Sequence, residues 1–151
     1  MDYPHPASKA SIDGQPIHAM FASFPTVCFT LVLMTDLAYV ATTNLMWQDF
    51  SAWLLLAGLV FGGIALLAGL VDLIASRAIR EQSATLPYAV GFVASLVLAF
   101  VNSLVHAGDG WTAVMPWGLV LSAVTVLVIF MTAWLGRSLV FKHGVGVSNY
   151  E

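Results

Sequence analysis

The chain has 151 residues, with 5 Lys+Arg against 8 Asp+Glu, a net charge of -3 and only 9% charged residues. Soluble domains run nearer 25% charged, so 60% apolar residues and a mean hydropathy of +0.90 exclude a water-soluble fold and a disordered chain alike. So few basic residues leave no electrostatic footprint for nucleic acid, and the single cysteine, Cys28, excludes an internal disulfide or a multi-cysteine metal site.

Residues 1–16 read as a polar N-terminal tail holding His5, Pro4, Pro6 and Gly14. No basic run leads into the apolar segment that follows, so the first span is expected to be retained rather than cleaved as a signal. Four apolar stretches come next, at about 17–41, 50–75, 86–105 and 114–135. Each is near the roughly 20 residues that cross a hydrocarbon core of about 30 Å. None holds a Lys or Arg, and no sustained period-two alternation supports a β-barrel. The joints are short, which predicts an all-α membrane protein with four transmembrane helices in an antiparallel up-down bundle over residues 17–137. Residues 138–151 read as a C-terminal tail.

With the N-terminus in the cytoplasm, Lys9, Arg77, Arg80, Arg137 and Lys142 all fall on that side. The opposite loops, 42–49 and 107–111, hold no Lys or Arg, so both termini are expected to be cytoplasmic. Trp47, Trp53, Trp111 and Trp117 fall near the outer boundary and Trp134 near the inner one, as an aromatic belt requires.

Two acids lie inside the spans, and an ionisable group there is a functional hypothesis by default. Asp72 continues a stripe of small residues, Gly58, Gly62, Ala65 and Gly69, spaced 4, 3, 4 and 3, which suits close helix packing. His18, Ala22, Pro25, Phe29, Val32 and Asp36 form a matching stripe on span one, provided the kink at Pro25 does not turn its halves apart. Its ends are about 27 Å apart along the axis, so His18 and Asp36 belong to different sites. His18, Asp72, Arg77, Arg137 and His143 are expected to form a polar cluster at the cytoplasmic end, with Asp72 orienting the His18 imidazole. His106, in the run HAGDGW, reads as a loop residue, and Cys28 and the methionines as core filler. No catalytic constellation or metal site is expected.

The run QPIHAMFASFP at 15–25 resembles the opening signature of a bacterial four-helix membrane family, the domain of unknown function 2231 family. Residues 53–73 look like its second span, and WLGRSLVFKHGVGV at 134–147 is similar to its closing signature. The resemblance covers about 16–147 and gives weight to His18, Pro25, Asp36, Asp72, Gly136, His143, Gly144 and Gly146. It implies the bacterial inner membrane and, because some members resemble fusions to Rieske or cytochrome modules, a link to electron transfer. The chain departs from the family pattern at Ala19, Ser23 and the run Leu86, Pro87, Tyr88, where other members place proline or histidine.

Two functional readings stand level. In one, the chain is a redox-linked module in which His18 and His143 bind haem b or hydrogen-bond a quinone head group, within a membrane redox complex. In the other it is a non-enzymatic accessory or assembly protein, docking through its glycine seam and the tail GVGVSNYE, or self-associating. A proton or ion conduit between Asp36 and Asp72 stands behind both, since only residues such as Thr26, Thr30, Asn102 and Ser103 lie between them.

Overall fold

The computed structural model describes residues 6–109 and 112–146. His5, Trp111 and residues 147–151 of the docking tail lie outside this range. A small hairpin, β1 (Ser11–Ile12) paired with β2 (Gln15–Pro16), precedes helices α1 (Ile17–Thr42), α2 (Leu45–Ala75), α3 (Arg77–Arg80), α4 (Thr85–His106) and α5 (Leu119–His143). The wound segment Val114–Gly118 leads into α5. α1, α2, α4 and the stretch Val114–His143 are long and apolar enough to cross a membrane. They form an antiparallel up-down bundle in which α1 packs on α2 and α5, and α4 packs on α2 and α5.

Local chemistry sets the ends of the helices. Asn44 opens α2 by accepting from the Met46 amide at 3.0 Å. Arg80 closes the same helix, its guanidinium donating to the free carbonyls of Leu73 and Ile74 at 2.6 and 2.9 Å. α5 runs on through His143, beyond the expected boundary at 137, because no breaker intervenes and Leu139 is buried against the bundle. It stops at Gly144, whose φ of 62° is left-handed and whose amide donates to the Val140 carbonyl.

The interior is made of Phe29, Val32, Leu55, Ala65, Phe92, Leu96, Ala99 and Ile129. Backbones approach closely along the small-residue stripe of α2. A methyl group at Gly58 would collide with the Phe29 ring, one at Gly62 with Leu96, and one at Gly69 would come within 2.9 Å of His18 Nδ1. The stripe thus faces α1 and α4 together. Outward faces carry apolar side chains, with Trp53 and Trp134 71% and 77% exposed to the lipid zone. The face of α1 stays continuous through Pro25, which is itself buried.

Residues 6–16, within the polar N-terminal segment, fold against the bundle. Asp13 and Gly14 both take positive φ, 50° and 73°, forming the two-residue turn that a hairpin favours. The hairpin folds back over the end of the bundle, where Asp72 receives it. Asp72 Oδ1 accepts from the amides of Lys9 and Ala10 at 2.6 and 2.9 Å, and Oδ2 from Ser8 Oγ at 2.7 Å. The Gly146 amide donates to the Pro6 carbonyl at 2.9 Å, so the segment after α5 is tied to the one before β1. Hydrogen bonds to a charged acceptor contribute about 1.5–3 kcal/mol each. Asp72→Ala is therefore expected to release this strap and speed tryptic cleavage after Lys9, with the helical content of the protein unchanged by circular dichroism. Equal cleavage rates in the two proteins would show that the strap is held by something other than Asp72.

Candidate functional site

Two polar sites lie at opposite ends of the bundle. At the end that carries the strap, a cavity of about 480 Å³ runs between α1 and α5 with α4 as its floor. Ala19, Ala22, Ser23 and Val27 line it from α1, and Ala133, Gly136, Arg137, Val140 and Phe141 from α5. Several of these residues, including Val27 and Phe141, also face the lipid zone, so the cavity is a groove open sideways.

Its floor is a hydrogen-bonded chain. His18 Nδ1 lies 2.7 Å from the Ala65 carbonyl, and Nε2 lies 2.5 Å from Tyr88 Oη. Small residues make the room: a methyl at Gly69 would crowd His18, and one at Gly136 would come within 2.8 Å of the Tyr88 ring. Phe92 meets the imidazole edge-on, with ring centroids 5.3 Å apart. Arg137 stands at the rim with its guanidinium 5.3 Å from the centre of the Phe141 ring. Asp72 and Ser8 close the end of the groove nearest the strap.

The other site centres on Asp36, which is fully buried and joins all four spans. Its Oδ1 accepts from Ser51 Oγ of α2 at 2.6 Å and lies 3.0 Å from His106 Nε2 of α4. Its Oδ2 accepts from Ser122 Oγ of α5 at 2.5 Å. Around this node Thr35 Oγ1 meets Ser51 Oγ, Asn102 donates to Ser122, and Gln48 donates to the His106 carbonyl. His106 Nδ1 lies 3.0 Å from the Asn102 carbonyl, which can only accept, so Nδ1 carries a proton. The contact between His106 Nε2 and Asp36 Oδ1 ties the end of α4 to α1.

The expected cluster is therefore brought together only in part. His18, Asp72 and Arg137 line one groove. Asp72 does not hold His18, because its oxygens are taken by the strap while the imidazole reaches Ala65 and Tyr88. Arg77 is an exposed residue paired with Glu81 at 2.7 Å, away from the groove. His143 is the last residue of α5 and is not among the residues that line the groove with His18. His106 is not a loop residue: it is the last residue of α4 and 2% exposed. Between Asp36 and Asp72 lies the apolar interior, and the buried hydroxyls of Ser95, Thr125 and Thr132 there each donate to a carbonyl of their own helix. Among the described residues, no three His, Cys, Asp or Glu side chains gather as a metal site.

The reading of residues alone singles out Asp36 but not the partners that surround it, and it gives Tyr88 no role. A signal for the latter was present: Ser95, Ala99, Asn102 and His106 repeat the 4, 3, 4 spacing of the α2 stripe, and all are buried.

The family model described as Predicted membrane protein (DUF2231) matches residues 14–149. The chain belongs to the DUF2231 family. The Asp36 node and the His18–Tyr88 pair of this DUF2231 protein lie inside the matched range, while Ser8 lies before it. No curated protein and no solved structure matches the chain.

Proposed function

We propose that this protein is a redox-linked module of the bacterial inner membrane that holds the head group of a quinone-type amphiphile in the groove between α1 and α5. The observation that carries this reading is the hydrogen-bonded His18–Tyr88 pair at the floor of an apolar groove open to the lipid. Ligand sites of this kind are mostly apolar, with a few placed polar groups that fix orientation. A cavity of about 480 Å³ falls within the roughly 300–1,000 Å³ usual for small-molecule sites. Bis-histidine haem is the weaker choice, since His143 stands outside the groove. The five basic residues on the side of the strap and of α3 support a cytoplasmic location for both termini, which puts the groove in the cytoplasmic leaflet.

Binding of decylubiquinone and decylubiquinol to the purified protein in nanodiscs tests the reading. Ala22→Trp, which fills the groove from α1, is expected to weaken the binding of whichever form binds by at least about tenfold while the helical content stays unchanged. Wild-type and Ala22→Trp proteins that take up the same small amount as empty nanodiscs would sink the proposal. Labelling of a cysteine placed at Ser11, in a Cys28→Ala background, tests the orientation. Reaction with an impermeant reagent in right-side-out spheroplasts would reverse it.

A further inference from the structure

The direction of the hydrogen bonds in the groove floor carries the ligand class further, and rests on the reading just given. The Ala65 carbonyl can only accept, so the proton of a neutral His18 imidazole must sit on Nδ1, 2.7 Å away. Nε2 is then an acceptor, and Tyr88, 2.5 Å from it, must be the donor. The hydroxyl proton of Tyr88 is thereby turned inward, and Oη offers the groove only lone pairs.

Neighbouring hydroxyls behave alike. Ser8 Oγ donates to Asp72, Ser23 Oγ to the Met20 carbonyl and Thr132 Oγ1 to the Val128 carbonyl. Thr26 lies about 12 Å deeper along α1 than His18, away from this floor. Arg137 is a donor, but it stands at the rim beside Phe141. The inner end of the groove thus presents acceptors, and a ligand group there must itself carry a proton to give.

We infer that the groove recognises a hydroxyl-bearing head group, and so prefers a quinol to the corresponding quinone. A quinone carbonyl would set lone pairs against the lone pairs of Tyr88 Oη and leave both without a donor, which is the costly arrangement for buried polar groups. A quinol donates to Oη and completes the chain from ligand to Tyr88 to His18 to Ala65. His18 acts here as a positioning residue: it sets which way the Tyr88 hydroxyl points.

The test compares decylubiquinol, decylubiquinone and the dimethyl ether of the quinol in nanodiscs under anaerobic conditions. The quinol is expected to bind about tenfold more tightly than the other two. In His18→Phe the Tyr88 hydroxyl loses its acceptor and turns to the groove, so the order is expected to reverse in favour of the quinone. Equal binding of quinol and quinone to the wild type, or tighter binding of the quinone, would overturn the preference and leave the groove assignment standing. Failure of all three to bind above empty nanodiscs would remove both. The wild-type comparison needs no variant, so a poorly folding His18→Phe does not shield the inference.

Discussion

Asp36→Ala is expected to lower the unfolding free energy of the bundle by about 2–5 kcal/mol, the largest loss foreseen for any single substitution in the chain. Polar contacts between membrane helices average only about 0.6 kcal/mol, so three of them set the lower bound. Each buried donor left without its acceptor costs about 1–3 kcal/mol, and relaxation that lets some of them find new partners sets the upper bound at about 5 kcal/mol. Asp36 is the shared acceptor for Ser51, Ser122 and His106, one from each of the other spans, so its loss strands donors on three helices at once. Asp36→Asn keeps the shape and one acceptor oxygen and should lose less. Reversible unfolding in mixed micelles, followed by circular dichroism, gives the ranking. A wild-type midpoint in Asp36→Ala would mean that the node carries no tertiary stability, whatever its geometry.

The second large effect is a contrast within one helix. Gly58→Ala places a methyl group against the Phe29 ring, which is 1% exposed and has nowhere to turn, with Cys28 Cβ 3.1 Å away on the other side. Overpacking of this kind costs about 1–3 kcal/mol and should push α1 off α2. Gly63→Ala, five residues on, meets nothing within 4 Å. Relief of glycine's helix penalty there is expected to leave the protein unchanged or stabilise it by up to about 1 kcal/mol. The same chemical change on the same helix thus carries opposite signs. Matching midpoints for the two variants in the unfolding assay would show that the α1–α2 seam is softer than its close packing implies.

These effects trace what could be read from the residues and what could not. Four spans, their order and their antiparallel arrangement follow from runs of apolar residues and short joints, because a bilayer leaves a helix few alternatives. The small face of α2 was legible for the same reason, since side chains spaced 3 and 4 apart must share a face. The partners of each polar group were not. Asp72 was expected to meet His18 across the seam, but the Asp13–Gly14 turn returns the N-terminal strand over the bundle and brings three donors to Asp72 instead. His106 was lost to its sequel, Gly108 and Asp109, which read as a loop although the helix ends at His106 itself. Tyr88 entered the reading only as the last residue of the run Leu86, Pro87, Tyr88, and nothing in the sequence pairs it with His18, 70 positions away, which the fold brings against it.

The sideways opening of the groove decides how occupancy is to be reckoned. An amphiphile arriving between α1 and α5 comes from the leaflet, so its effective concentration is a mole fraction in lipid rather than a molarity in water. Adding bilayer to a fixed amount of protein and ligand dilutes the ligand and lowers occupancy, even though nothing in the aqueous phase has changed. Lengthening the ligand's tail should raise its apparent aqueous affinity through partitioning alone, with little change once the scale is set by the membrane. Affinities measured in micelles and in vesicles become comparable only after that conversion.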